Sequence, residues 1–460
     1  MANQTNKLTF DSIRQLLSMR SSVIHFIGVG GVSMYTLARL ALYRGCTVTG
    51  SDRISNERTK DLIGRGAKIL RGHDSSYVNG ATLVVYSSAI SPSNPEMRGA
   101  NAKNIPTVTR AQFMGAVMLD YKNRIGVSGT HGKSTTTAIL DCIFSSAMTR
   151  PTTLSGAELT LGEPLRIGGN DTMIYEACEY RDSFLSFSPT IALALNLELD
   201  HTDYFSGISA LKSSFIKALS KAKDIAIVNL DDEYLSEIIP DIKCKVVTFG
   251  QHERANWRYL ITSFLDRGAE FTLYHHGVKI KKIRLNIPGC HNVQNAAAAA
   301  VAALEFGIAP DVVAAAIESF RGVPRRLEYV GEHLGRPVYY DYAHHPTEIS
   351  AGINTVKLMT GDFVTVVFKP HTYTRTASLW TELSGALSLA DHIILTDIFP
   401  AREEPIKGIT SERLAEDIGE RAVFSHDYDV VSCVDNYTQG VIIVMGAGEL
   451  ENVKKQLISK

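Results

Sequence analysis

Gly129, Thr130, His131, Gly132, Lys133, Ser134 and Thr135 form one run, with two glycines, an amine and several hydroxyls in seven positions. An apolar stretch, 124–128, precedes it and a helical-looking stretch, 136–146, follows. A glycine turn between strand and helix presents backbone N–H groups to a polyphosphate, and the positive end of the helix dipole adds to that field. The lysine then supplies a point charge for β- and γ-phosphates, and the hydroxyl of Ser134 or Thr135 can reach Mg²⁺. The full P-loop pattern needs glycine at 127, where Val127 stands, so the loop is a shortened form. The expectation is an ATP site.

Two acidic and histidine clusters follow it. Glu176-Ala177-Cys178-Glu179 closes an apolar run, 173–177. Carboxylates at the C-terminal end of a strand, in a sheet whose phosphate loop opens the same edge, meet the Mg²⁺ of MgATP; a solvated strand end is the plainer role. Twenty-two residues after Glu179 lies His201, in Asp200-His201-Thr202-Asp203-Tyr204. It is a metal ligand or polarising group if Lys133 and Glu176 converge on it, and otherwise a hydrogen-bonded structural histidine.

Further along, His291, Asn292 and Asn295 precede an alanine-rich helix, where the asparagines serve either adenine or a helix cap. Arg325-Arg326 sits at a segment boundary, where an arginine can swing onto a γ-phosphate or remain a solvated linker. Asp341-Tyr342-Ala343-His344-His345 follows a strand, and the adjacent histidines favour substrate handling over a metal pair. Arg375, in Lys369-Pro370-His371-Thr372-Tyr373-Thr374-Arg375, ends another strand and can grip a carboxylate.

The elements that must position these groups read as α/β throughout. In the first segment a strand from Val23 runs into Gly28-Val29-Gly30-Gly31, a helix covers 33–43, and a strand 47–50 ends at Ser51-Asp52. This is a βαβ unit of Rossmann type, but Ser33 stands where a third glycine would be, which favours another diphosphate over NAD. The second segment carries apolar runs at 173–177, 191–195, 225–229 and 246–249, and the third at 338–342, 363–368, 392–397 and 441–445. Alternation with helices predicts three α/β domains, 1–118, 119–322 and 323–460: Rossmann-like, a P-loop-type ATPase sheet, and Rossmann-like again.

At 460 residues, 45% hydrophobic and 21% charged, the chain has material for several cores. A formal net charge of −1 gives no drive toward nucleic acid or anionic membrane. The small-apolar stretch 296–304 is too short to span a bilayer and reads as a buried helix. Six scattered cysteines without CxxC spacing, and a polar stretch 1–20 without a signal-peptide core, point to a reducing cytoplasm. Oligomeric state is left open.

The ordered runs HFIGVGG with Gly50-Ser51-Asp52, SSAI with Asn94-Pro95-Glu96, GTHGKST, EACEYRDSFL, Asn196 with DHTDYF, GCHNVQN, RRLE, DYAHHPTE, PHTYTRT and MGAGE resemble those of the Mur ligases over nearly the whole chain. PHTYTRT and EACEYRDSFL favour the branch that adds L-alanine over the one that adds a murein tripeptide. The resemblance implies ATP-driven amide synthesis on UDP-N-acetylmuramate, through an acyl phosphate, in peptidoglycan precursor synthesis. It implies that Lys133 and the 129–135 backbone hold phosphates, and that Ser134, Glu176 and His201 serve magnesium ions. It places His291, Asn292 and Asn295 at adenine, Asp341 at the ATP ribose and Arg326 at phosphates. Gly28, Gly30, Gly31 and Asp52 would hold the UDP diphosphate, and His344 and Arg375 would meet L-alanine or the carboxylates.

The chain departs from the family pattern at Ser134, where threonine is usual, at Ser33, at Tyr340 in place of an aspartate, and at Thr372, where many relatives carry a second arginine. It also lacks the lysine that several sister ligases carbamylate, as the L-alanine branch does. The alternatives are a sister ligase for a peptide or another amino acid, an NAD-dependent dehydrogenase read from the N-terminal turn, and a non-catalytic nucleotide-binding relative.

Overall fold

The computed structural model describes residues 8–159, 162–265, 267–401 and 403–458. The first of three sheets is wholly parallel: β1 (Val23–Ile27), β2 (Thr47–Asp52), β3 (Lys68–Arg71), β4 (Leu83–Tyr86) and β5 (Thr107–Thr109), in the order β3-β2-β1-β4-β5. Strands covered by helices on both faces must be apolar on both, which is why β1 and β4 read as continuous hydrophobic runs. The strand order reverses between β1 and β4, and Gly28 leaves β1 at that point.

The second sheet starts with β6 (Asn123–Ser128), β7 (Thr152–Leu154), β8 (Leu165–Arg166), β9 (Thr172–Glu176), β10 (Ile191–Ala194), β11 (Ile225–Asn229) and β12 (Val246–Gly250). Their order is β12-β11-β10-β6-β9-β7-β8, parallel except for β8. β13 (Trp257–Leu265) begins against β12 and continues beside β14 (Gly268–His275), which forms an antiparallel hairpin with β15 (Val278–Leu285). The third sheet holds β16 (Glu328–His333), β17 (Arg336–Asp341), β18 (Val364–Phe368), β19 (His392–Leu395), β20 (Ala422–Phe424) and β21 (Val441–Met445). It runs β16-β17-β21-β18-β19-β20, parallel except for the β16–β17 hairpin.

The described residues gather into two compact units, those of Met1–Arg258 with Ala298–Val313, and those of Tyr259–Ala297 with Ala314–Lys460. In the former, one continuous apolar core joins the first sheet to the second. Phe26 meets Phe113 edge-on at 5.5 Å, and Arg14 and Arg44 both hold Asp120, at 2.7 and 2.6 Å. In the latter, Val366, Phe368, Ile393, Leu395 and Ile443 fill one side of the third sheet.

The hairpins depart from the expected parallel pattern. β15 exposes much of its length and carries lysines, so its half-buried alternation is not an apolar run. Gly277 and Gly335, at φ +81 and +77, close the two hairpins in the left-handed region that glycine tolerates. In the polar 1–20 stretch a short helix, Phe10–Ser18, buries Ile13 and Leu17. The expected buried helix is Cys290–Phe306, with every residue from Ala296 to Ala303 at 0% exposure. No helix of the described residues is long and apolar enough to cross a membrane.

Candidate functional site

β6 delivers the chain to Gly129, whose φ of +141 strains any side chain; a Cβ there would crowd Leu195 Cβ at 3.0 Å and the Asn196 nitrogen at 3.2 Å. Gly132, at φ +82, caps the helix Lys133–Ser146. The loop between them is stapled to the segment after β10. Thr130 N–H donates to Asn196 O at 3.2 Å, His131 N–H to Asn196 Oδ1 at 2.8 Å, and Asn196 Nδ2 back to His131 O at 3.1 Å. β6 and β10 are neighbours where the strand order reverses, so the loop lies in the crevice that open α/β sheets offer to ligands.

Lys133 bends back over this loop. Its Nζ donates to Gly129 O, to Thr130 O at 3.0 Å, and to the Glu179 carboxylate at 3.3 and 3.4 Å. Burial is the largest influence and works against the ammonium, but Glu179, Cys178 and Glu176 together outweigh it and raise the pKa, so the side chain stays charged. Ser134 and Thr135 are buried in the first helical turn.

β9 flanks β6 on its other side, so Glu176, its last residue, arrives beside the loop. Glu176 Oε1 accepts Ser155 Oγ at 2.8 Å and Gly156 N–H at 2.6 Å. His201 sits at φ +55 with its ring 4.4 Å from that of Tyr180, whose hydroxyl donates to Asp203 at 2.8 Å. Lys133, Glu176 and His201 therefore leave three adjacent strands, β6, β9 and β10, at one edge. The carboxylate in contact with Lys133 is nevertheless Glu179, whose Oε1 lies 3.8 Å from His201 Nε2. Sequence reasoning groups Glu179 with Glu176 as strand-end carboxylates for Mg²⁺, carries only Glu176 into the site, and does not pair Glu179 with Lys133; the signal was the second carboxylate of Glu176-Ala177-Cys178-Glu179. Burial first, and Glu179 next, push the Cys178 thiol up to about 11.

The N-terminal turn is built differently. Gly28 and Val29 N–H both donate to Ser51 O, at 2.8 and 3.0 Å, and Gly30 N–H donates to Asp52 Oδ2 at 2.8 Å. Asp52 thus grips the turn itself in this structure. Gly31 has ordinary φ and precedes the helix Val32–Tyr43. Beneath the turn, Ser51 Oγ donates to Glu96 at 2.7 Å, and His25 and His73 approach the same carboxylate at 2.6 and 2.5 Å. Burial opposes the Glu96 carboxylate, but these bonds prevail and lower its pKa.

In the second unit, β17, β21 and β18 are neighbours, with Asp341, Met445 and Phe368 in register, so the segments after all three strands leave one edge. Asp341 accepts Leu327 N–H at 3.1 Å and Ala343 N–H at 2.9 Å, and burial, against the pull of Arg326, raises it to about 6. The Arg326 guanidinium lies 5.3 Å from the Tyr342 ring centre and 3.9 Å from Glu348. His344 Nδ1 meets Tyr342 O at 3.0 Å, and its ring stands 5.8 Å from that of His371, to which Arg375 is bonded at 2.9 Å. Thr372, at φ +63, caps the short helix Tyr373–Ser378.

Gly289, at φ +100, lets the His291 ring lie where a Cβ would be 2.5 Å from its Cε1. Asn292 Nδ2 donates to Pro288 O at 2.6 Å and Asn295 Nδ2 to Asn292 Oδ1 at 3.3 Å, so both buried amides tie down the helix start. Beside them a cavity of about 310 Å³ is lined by Phe264, Leu265, Pro288, His291, Asn354 and Leu358 among others.

Three family models match in succession: the Mur ligase family catalytic domain over residues 23–122, the Mur ligase middle domain over 127–303, and the Mur ligase glutamate ligase domain over 325–448. The UDP-N-acetylmuramate–L-alanine ligase of Caldicellulosiruptor bescii is 39% identical over 95% of this chain and 98% of its own length. That of Acetivibrio thermocellus is 39% identical over 95% of each chain. Among solved structures, the UDP-N-acetylmuramate-alanine ligase of Thermotoga maritima superimposes with a TM-score of 0.81 at 25% identity, covering 95% of this chain and 98% of that one. A murein peptide ligase from Psychrobacter arcticus shares the fold, with a TM-score of 0.71 at 23% identity over 95% and 98% of the two chains. With three family models in order between residues 23 and 448, and 39% identity to the Caldicellulosiruptor bescii ligase over 95% of this chain, the chain belongs to the Mur ligase family.

Proposed function

We propose that the chain joins L-alanine to the lactyl carboxylate of UDP-N-acetylmuramate at the expense of ATP, an early step of peptidoglycan precursor synthesis in the cytoplasm. The observation that carries this reading is the charged Lys133 ammonium at a helix N-terminus, set in a glycine loop at a switch point of the sheet. A fixed positive charge and converging N–H groups favour the charge that spreads over a transferring phosphoryl group. The carboxylate takes the γ-phosphoryl group and ADP leaves; the alanine amine then attacks the acyl phosphate, a proton is lost, and phosphate departs as the amide forms.

In this reading residues 1–118 hold the UDP moiety through Gly28, Gly30, Gly31 and the turn that Asp52 braces. Residues 119–322 bind ATP through Gly129 to Thr135, with His291, Asn292 and Asn295 toward adenine. Residues 323–460 supply Asp341 for the ribose, Arg326 for phosphates, and His344 and Arg375 for the amino acid. Ser134 and Glu176 oxygens with the His201 imidazole make a donor set that a hard divalent cation accepts, and Mg²⁺ bound there would offset phosphate charge.

The test is phosphate release from ATP with UDP-N-acetylmuramate and amino acids supplied singly. Release with L-alanine well above that with glycine, L-serine or a tripeptide is expected. Preference for a tripeptide or another amino acid would move the chain to a sister activity, and no release with any would leave a nucleotide-binding protein without ligase activity.

A further inference from the structure

Beside Lys133, two side chains with no part in the proposed reaction meet a third from another strand end. Cys178 and Glu179 turn out of β9, His201 comes from beyond β10, and one ligand atom from each lies within 4.8 Å of the other two. The chain holds them there in uncommon backbone conformations: Arg181, Asp182 and His201 have φ of +51, +55 and +55, and the Tyr180 ring backs the imidazole. Glu179 is 2% exposed and Asp200 Oδ2 is a further oxygen 3.8 Å from His201 Nε2.

A thiol, an imidazole and a carboxylate are a mixed soft and borderline donor set. Mg²⁺ takes oxygen donors in near-octahedral array and has little affinity for sulfur, whereas Zn²⁺ and Co²⁺ accept S, N and O tetrahedrally. Bond lengths of about 2.0–2.3 Å place tetrahedral donors roughly 3.3–3.8 Å apart; Glu179 Oε1 and His201 Nε2 already stand at 3.8 Å, and the thiol has up to about 1 Å to draw in.

We propose that Cys178, Glu179 and His201 form a site for a thiophilic divalent cation of the Zn²⁺ class, and that filling it shuts the phosphate loop down. The thiol proton leaves to solvent as the sulfur–metal bond forms, and no electron is transferred. Glu179 turns from Lys133 to the metal, and a doubly charged ion then stands against the ammonium that must meet ATP. His201 cannot serve this ion and Mg²⁺ together through one nitrogen, so the two cations compete. The shut-off and the competition rest on the proposed function; the site itself does not.

Co²⁺ titrated into the full-length protein without nucleotide tests the site. A thiolate-to-cobalt charge-transfer band and tetrahedral visible bands are expected at one ion per chain, lost in Cys178→Ser and kept in Cys142→Ser and Cys290→Ser. Cys178→Ala serves if the serine variant misfolds, as judged by circular dichroism. No such band in the parent protein, or an undiminished one in the folded Cys178 variant, overturns the site. Zn²⁺ is then titrated into the phosphate-release assay at fixed Mg²⁺. Loss of one ligand should raise the inhibitory Zn²⁺ concentration roughly tenfold or more in Cys178→Ser, with turnover in zinc-free buffer retained. A band without zinc inhibition of an active enzyme overturns the shut-off alone. A band in a protein inactive with every amino acid keeps the site and overturns the proposed reaction.

Discussion

The molecule repeats one motif, strand to glycine turn to helix, at Gly28–Gly31 and at Gly129–Gly132, and braces the two turns with different groups. At the first, a carboxylate, Asp52, accepts the Gly30 N–H, and a buried Glu96 lies behind Ser51. At the second, the Asn196 amide holds the loop backbone, Glu198 meets the His131 ring at 3.0 Å, and the helix that follows opens on the Lys133 ammonium. In the proposed function, the turn braced by Asp52 holds the UDP diphosphate through its backbone N–H groups. In the same proposal, the turn that Asn196 holds leaves Lys133 for phosphoryl chemistry. The turn fold is common to both; the lysine that opens the following helix is present only at the second.

Four experiments test this difference between the turns. The largest effect is expected from Lys133→Ala, which should lower turnover about 10³-fold or more by removing the positioned charge. It also strands the buried Glu179 carboxylate, so stability should fall too, and Lys133→Ala with Glu179→Gln should recover stability but not turnover. Near-normal turnover of the single variant would make the two turns equivalent and the assignment wrong.

Next come Glu176→Ala and His201→Ala, each expected to raise the Mg²⁺ needed for half-maximal turnover by roughly tenfold or more, with little change in melting temperature. An unchanged Mg²⁺ titration removes that residue from the metal site, and unfolding makes its role structural.

Asp52→Asn probes the other turn. Weakening the Gly30 bond should loosen the turn by about 1 kcal/mol and reduce UDP affinity several-fold in calorimetry, leaving ATP affinity unchanged. Titrated alongside, NADH should give no binding heat, since Ser33 breaks the dinucleotide pattern. Tight NADH binding without UDP binding would return the turn to the dehydrogenase reading.

The smallest effects separate the glycines. Gly132→Ala forces an alanine to φ +82 and should cost about 1–2 kcal/mol in chemical denaturation, whereas Gly31→Ala, at ordinary φ with its nearest contact at 3.7 Å, should cost under about 0.5 kcal/mol. Equal costs would mean that the residues entering the two helices are not distinguished by backbone strain.

Much of this was legible in the residues. The strand expected at 225–229 is β11 and that at 441–445 is β21, because a strand buried on both faces must be apolar throughout. The glycine loops were legible because few residue types accept a left-handed turn or close backbone approach. The β14–β15 hairpin was not, since its lysines serve a solvent face and hide the alternation. Thr372 read as a lost arginine; in the fold its hydroxyl caps a helix.

By itself, then, the sequence determined the α/β class, the phosphate loop and which short segments carry the reactive side chains, since each rests on local backbone sterics and on burial of contiguous apolar residues. Only the tertiary structure decided which of those side chains touch. Strand order set β9 and β10 on either side of β6, and so brought Glu179, rather than Glu176, against Lys133. It set Asp52 on Gly30 and lined up the ends of β17, β21 and β18. Pairing between strands far apart in the chain is settled by how the whole apolar surface packs, and no short stretch of residues encodes it.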